Sequence, residues 1–232
     1  MDLLWQGLVQ GLTLIVSGDP ALLRIVSLSL LVSLTATAIA ALIGVPLGAR
    51  LALGSSRGQG LIQALINTGM GLPPVVVGLA VTMLLWRTGP LGFLSLLYTP
   101  QAMILAQLIV ALPIAAGLTA SALGLLDPEL ASALRVSGAE EPRVAYEMIR
   151  AALPQVIVAV SAAFGRAIAE VGASLMVGGN ILGQTRILTT AITLVTSRGD
   201  FAEAIALGIV LLALAFIVNA GLTWRARAAM YL

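Results

Sequence analysis

IVSLSLLVSLTATAIAALIGVPLGA, residues 25–49, runs between Arg24 and Arg50 without one charged side chain. A helix that crosses the hydrocarbon core needs about 20 apolar residues, so this stretch reads as a membrane span. The same rule finds four more: one between Arg57 and Arg87, one between Pro100 and Asp127, one from about Leu153, and one from Ala204 to Trp224. The fourth differs in carrying Arg166 and Glu170 within it. The expected fold is an all-α membrane protein of five spans, with residues 1–232 forming a single transmembrane domain.

Composition agrees and excludes more chemistry than any motif proposes. The chain is 59% hydrophobic and 9% charged, with a mean hydropathy of +1.07, against about 25% charged residues in a soluble domain. Every basic residue is arginine; lysine, histidine and cysteine are absent. Without lysine there is no ordinary phosphate-binding P-loop, so ATP hydrolysis would belong to another chain. Without histidine or cysteine, serine–histidine nucleophiles, imidazole or thiolate metal sites, disulfides and haem ligation are excluded. No cofactor or metal is expected on this chain. The formal net charge of +2 is dispersed and marks no nucleic-acid surface.

At the N-terminus, Gln6, Gln10, Thr13 and Ser17 fall on one helical face and Trp5, Leu8, Val9, Leu12 and Val16 on the other. This pattern predicts a helix over residues 1–18 lying in the membrane interface. Met1-Asp2 offers no positive n-region and Gly18-Asp19-Pro20 is a turn, so the segment is expected to stay in the mature protein. Five spans put the termini on opposite sides. Arg50, Arg57, Arg135, Arg143, Arg150, Arg225 and Arg227 share one side, against Arg24, Arg87, Arg186 and Arg198 on the other. Positive charge marks the cytoplasmic side, so the N-terminus is expected outside and the C-terminus inside.

The long loop at residues 127–152 then faces the cytoplasm. Asp127-Pro128-Glu129 is a helix start, with an N-cap acid, proline at the first helical position and an acid in the first turn. LASALRV leads to Ser137-Gly138, where glycine can end the helix, and Pro142 opens a second helix, RVAYEMIRAAL. The pattern alone is also that of a solvated amphipathic hairpin.

In the fourth stretch, AFGRAIAEVGASLMVGGN (163–180), an intramembrane charge is expensive, roughly 3 kcal/mol on insertion scales, and is a functional candidate by default. Arg166 stands ~18 Å along the helix from Pro154 at 1.5 Å per residue. Glu170 follows four residues later on the same expected face. Either the two are a structural brace, or Arg166 lends positive potential to an anion pathway that Glu170 moderates. Glycines 165, 172, 178 and 179 leave room for close helix contact, read as packing at a dimer axis. Pro73 and Pro74 in the second span cannot both sit in an unbroken hydrogen-bond ladder; they mark either a kink or a pathway element.

Read in order, GLPPVVVGL (71–79), GPLG (89–92), FGRAIAEVGASLMVGGNI (164–181), TRILTTAITLVTSRGDF (185–201) and the opening SGDPALLRIVSLSLLVSLTATAIAALIGVPLGA (17–49) resemble the permease of tungstate-type ABC importers. Molybdate permeases share a similar fourth-span core and Gly-Asn exit, here Gly179-Asn180. Residues 127–152 resemble the family's cytoplasmic coupling loop: Ser132-Ala133-Leu134, Gly138-Ala139 and Leu153-Pro154 stand where the family has Glu-Ala-Ala, Gly and Leu-Pro. Ser132 replaces the acid, and Leu-Pro arrives about three residues late.

The resemblance implies the fold of a methionine- or molybdate-type importer permease in a bacterial or archaeal cytoplasmic membrane. It also implies partners: a second copy of the chain, a cytoplasmic ATPase dimer that binds ATP and magnesium, an extracytoplasmic binding protein, and membrane lipid. The candidate pathway or gate residues are Arg166, Glu170, Pro73, Pro74 and Asn180, with a brace or a kink as the alternative reading. Its implied ATPase contacts are Leu130, Leu134, Val136, Arg135, Glu140 and Glu141, around the hinge Gly138-Ala139. Residues 184–199 would be a short re-entrant or interfacial helix whose Thr189, Thr193, Thr196 and Arg186 either receive an anion or merely pack. A secondary transporter using Glu170 as a protonatable site is the competing class.

Overall fold

The computed structural model describes Trp5, Gly7, Val9, Thr13, residues 19–54 and residues 58–229, with side chains to residue 225. Trp5, Gly7, Val9 and Thr13 are helical; the rest of the expected interfacial helix, Arg57 and the side chain of Arg227 lie outside the described residues. Ten α-helices and no strands occur among the described residues outside this N-terminal stretch. They are α1 (Pro20–Leu53), α2 (Gln59–Met70), α3 (Pro74–Leu85), α4 (Pro100–Gly124), α5 (Pro128–Val136), α6 (Glu141–Ala151), α7 (Leu153–Ile168), α8 (Gly172–Gly178), α9 (Leu188–Ser197) and α10 (Phe201–Ala229).

α1, α4 and α10 are each long and apolar enough to cross a membrane. The second and fourth apolar stretches are interrupted, the second where its two prolines predict it and the fourth where the sequence predicts one continuous helix. The second apolar stretch is not a kinked rod: α2 stops at Met70 and α3 restarts at Pro74, with Pro73 as its N-cap. Proline has no N–H to give the ladder and is preorganised for a first helical turn, so two in succession end one helix and begin the next. In the fourth stretch, α7 ends at Ile168, and Ala169, Glu170 and Val171 separate it from α8. Arg166 and Glu170 therefore do not share one uninterrupted helix, and the four-residue spacing no longer sets their geometry.

The chain forms two compact units. The first comprises residues 1–36, 73–107 and 167–218. Its apolar cluster joins Leu22 of α1, Leu188, Ala191 and Val195 of α9, and Leu207 and Val210 of α10. α3 lies against α8 at van der Waals closeness: a methyl group added at Gly78 would come within 2.8 Å of the Ala173 Cα.

The second unit comprises residues 37–72, 108–166 and 219–232. Ala49 of α1, Leu123 of α4, Ala131 of α5, and Val144 and Met148 of α6 are buried together, with Ala152 and Val156 extending the cluster into α7. α7 turns from α6 by 81°. Gly44 and Gly48 let α1 press against α4, the close approach that small residues at four-residue spacing allow in membranes. A Cβ at Gly48 would stand 2.4 Å from the Ala116 carbonyl oxygen, whereas one at Gly208 of α10 would meet nothing within 4 Å. Gly48→Ala is expected to lower the thermal midpoint of the detergent-purified protein by the equivalent of about 1–3 kcal/mol, the cost of overpacking. Gly208→Ala should leave that midpoint unchanged or raise it.

Candidate functional site

The break before α8 is the chemically richest place in the first unit. Glu170 is 1% exposed, and its Oε1 accepts a hydrogen bond from the Ala173 amide at 2.9 Å, closing the start of α8. Its backbone carbonyl accepts from the Thr189 hydroxyl at 3.0 Å, which ties α9 to the break. In the first turn of α8, Ser174 accepts from Gln107 Nε2 at 3.1 Å, and Gln107 Oε1 accepts from the Ser33 hydroxyl at 3.0 Å. This buried chain sews α8 to α4 and α1. α3 begins beside the same point, because the Val75 side chain adjoins Gly172. The Pro73-Pro74 turn and Glu170 are thus brought to one place.

The far end of α8 is equally fixed. Gly179 and Asn180 both take the left-handed conformation, at φ +70° and +52°, which glycine accepts freely and asparagine more readily than most residues. The Thr185 hydroxyl donates to the Gly178 carbonyl at 2.5 Å, and the Tyr98 amide donates to Val177 O at 2.8 Å. Asn180 Nδ2 donates to Thr190 O at 3.2 Å, while Arg186 donates through Nε to Asn180 Oδ1 at 3.1 Å and through Nη2 to Asn180 O at 3.3 Å. Asn180 is therefore an anchor for Arg186 and α9. The expected helix near residues 184–199 is α9, but Thr189 is buried and its hydroxyl is engaged by Glu170 O, so it is not part of an open polar face.

Gly172, Gly178 and Gly179 are crowded by Val75, Met103 and Tyr98 of the same chain, so these glycines serve intrachain packing; Gly165 has nothing within 4 Å. Arg166, half-buried near the end of α7, falls in the second unit, and Glu170 in the first. Sequence reading missed Gln107, Ser33, Ser174, Thr185 and Thr190. A lone glutamine in MILAQLIVAL (103–112) is the signal that could have found the first, since a polar side chain in a span needs a partner.

In the second unit, the loop at residues 127–152 is the helix pair that its caps predict. Asp127 accepts from the Glu129 amide at 2.9 Å, α5 ends at Val136, and Gly138 turns the chain at φ +86°. Arg135 grips Glu141 with two hydrogen bonds, Nε to Oε1 at 2.8 Å and Nη2 to Oε2 at 3.1 Å, and also reaches Leu53 O at 3.4 Å. That bidentate pair holds the Glu141 carboxyl below its ordinary value and raises that of Arg135. The tie is therefore in force above the ordinary glutamate range and lost as pH falls through the lowered value.

Leu134 and Ala139 are partly buried, and both pack against the cluster of Ala131, Val144 and Met148. Leu130 and Val136 stay exposed, Val136 at 89%. The loop thus presents a stiffened hairpin whose outward surface is Leu130, Val136, Glu140 and the Arg135–Glu141 pair.

Residues 44–229 match the family of binding-protein-dependent transport system inner membrane components. The chain belongs to this family. It is a multi-pass inner membrane transport component, not an enzyme. It is 42% identical to the tungstate uptake system permease protein TupB of Peptoclostridium acidaminophilum, over 95% of this chain and 96% of that one. It is 43% identical to a probable anion ABC transporter permease protein of Haloferax volcanii, over 86% and 88%, and 30% identical to the molybdenum transport system permease protein ModB of Escherichia coli, over 86% and 93%. Its fold is that of a solved chain of the MetNI methionine ABC transporter in an inward-facing conformation. The TM-score is 0.74 at 20% identity, covering 90% of this chain and 95% of that one.

The capping role of Glu170 has a direct test. Glu170→Ala removes the acceptor for the Ala173 amide and should destabilise the inner membrane component by about 1–3 kcal/mol, the cost of a stranded buried donor. Glu170→Gln keeps an acceptor oxygen and should lose less, read as the thermal midpoint in detergent.

Proposed function

We propose that this chain is the permease subunit of an ATP-driven importer for a tetrahedral oxyanion, tungstate in the first place. The observation that carries the substrate is identity taken with coverage: 42% and 35% over 95% and 94% of the chain to two proteins named tungstate uptake permeases, against 30% and 26% over 86% and 83%, and 35% over only 64%, to proteins named molybdenum permeases. Membership of a binding-protein-dependent family supports an extracytoplasmic binding protein that delivers the anion. The absence of any lysine supports a separate ATPase dimer that binds ATP and magnesium. The chain works as a homodimer in lipid, with its N-terminus outside and its C-terminus inside.

In this reading, the hairpin at residues 127–152 transmits ATPase closure. Leu130 and Val136 are its apolar anchors, with Glu140 and the Arg135–Glu141 pair as a polar rim. Leu134 and Ala139 act from beneath, holding the hairpin on its unit, and Gly138 sets the turn. Glu170, the Pro73-Pro74 turn and Asn180 of the first unit are the gate candidates, and Arg166 of the second unit is a separate pathway candidate. Arg166 supplies positive potential to a passing dianion, and the fixed break around Glu170 positions α8. Molybdate, with the same charge and tetrahedral shape, is the runner-up cargo, supported by the molybdenum permease relatives.

The test is uptake into vesicles holding the chain with its ATPase and binding protein. Tungstate should accumulate only with ATP, and unlabelled molybdate should compete less well than tungstate. Gly138→Pro should abolish transport-coupled ATP hydrolysis while the chain still inserts, and Arg166→Ala should cut uptake more than expression. Uptake by the chain alone on an ion gradient would overturn the reading in favour of a secondary transporter.

A further inference from the structure

A cavity of about 710 Å³ opens in the first unit between the first turns of α1 and the loop that leads into α9. Arg24 and Gln184 stand at its edge with Arg186, and Leu28, Leu31 and Leu182 form its apolar wall. Arg24, Leu28 and Leu31 recur at helical spacing on one face of α1, so charge gives way to hydrocarbon within roughly 10 Å along the axis at 1.5 Å per residue. Leu31 is 56% exposed and Leu182 is 64% exposed.

Arg186 is not a loose surface cation. Its Nε and one Nη2 proton are spent on Asn180, itself held by Thr190 O, so the guanidinium is oriented before any ligand arrives. Its remaining N–H groups suit oxygen acceptors, and a guanidinium fork matches phosphate geometry. The nearby acid Asp19 aims its carboxylate at the first amides of α1, accepting from Ala21 at 2.6 Å and Leu22 at 3.4 Å. Asp19 and Glu203 line a separate, smaller cavity that shares Arg186.

We propose that this groove binds an anionic phospholipid, with the phosphodiester between Arg24 and Arg186 and an acyl chain along Leu28, Leu31 and Leu182. A soluble oxyanion would satisfy the two arginines but would leave the leucine wall without a partner. An amphiphile satisfies both, and α1 is a membrane-crossing helix that starts four residues before Arg24. Polar heads gather at that level and apolar tails run past the leucines. The lipid reading rests on Arg24, Arg186 and the leucine wall, none of which is assigned to the gate, so it does not depend on the cargo being tungstate.

The test is native mass spectrometry of the purified full chain, titrated in detergent with phosphatidylglycerol or phosphatidylcholine. The wild type should retain phosphatidylglycerol at least about fivefold more tightly than phosphatidylcholine, a gap of about 1 kcal/mol. Arg24→Gln and Arg186→Gln should each erase most of that preference, and Arg24→Lys should keep part of it. Because Arg186 also braces Asn180, Arg24→Gln decides the matter if Arg186→Gln misfolds; the Arg24 side chain is exposed. Millimolar inorganic phosphate or tungstate should not displace the lipid. Displacement by either would make this a free-oxyanion site and overturn the proposal. So would equal retention of both lipids by the wild type, an unchanged preference in Arg24→Gln, or a dimer whose second copy excludes lipid altogether.

Discussion

Inside a bilayer no water reaches the backbone, so each interruption of a helix must find its hydrogen bonds within the protein. This chain interrupts its second and fourth apolar stretches, and the buried side chains of Glu170, Thr185 and Thr189 make sense as the response. Around residues 169–171 the Glu170 carboxylate takes the Ala173 amide, and Thr189 takes up the Glu170 carbonyl. At the other end of α8, Thr185 and the Tyr98 amide satisfy the carbonyls of Gly178 and Val177. The break at residues 71–73 solves the same problem by subtraction. Pro73 and Pro74 bring no N–H, Leu72 and Gly71 donate to the last carbonyls of α2, and Pro73 O receives the first amides of α3. A polar side chain at one break and a missing donor at the other meet one requirement.

This constraint explains why the fold was readable from sequence and part of the site was not. Charge-free runs between arginines gave the spans because charge is what the bilayer rejects, and α1, α4 and α10 follow those runs closely. The discontinuity at Pro73-Pro74 was legible because proline cannot hide its effect on the ladder. The break at residues 169–171 was not, because AIAEVGAS is an ordinary helical sequence apart from Gly172. It opens through tertiary partners, Thr189 of α9 and Val75 of α3, that are distant in the chain. Gln107 was overlooked for a similar reason: its partners, Ser33 and Ser174, lie 74 and 67 residues away.

The hairpin at residues 127–152 shows where helix signals stop. Asp127, Pro128 and Gly138 fix starts and ends, since capping and a left-handed turn are local properties. Which face of a nine-residue helix turns inward is decided by what lies beneath it. Leu134 went in and Val136 stayed out because α6 and the ends of α1 and α4 offer Val144, Met148, Leu53 and Leu123 to cover. The exposed Arg135–Glu141 pair adds little as a surface ion pair in water. Its bidentate geometry fixes the angle between two short helices that Gly138 would otherwise leave free. The hairpin is stiffened by the direction of this pair more than by its strength.

The chain's cations are all guanidinium, and that choice bears on both anion readings. A planar fork takes two oxygens of a tetrahedral oxyanion at once, whether the centre is tungsten or the phosphorus of a lipid headgroup. A permease for such anions sits among phosphodiesters, so an open arginine at headgroup level would be filled by lipid before any cargo reached it. The burial pattern separates the two uses. Arg24 is exposed beside an apolar wall, where a phosphate with tails fits, whereas Arg166 is half-buried in α7, next to the fully buried Phe164 and Ala167 in sequence. In the two proposals it is burial, more than any difference in chemistry, that separates an arginine suited to a lipid headgroup from one suited to a small dianion.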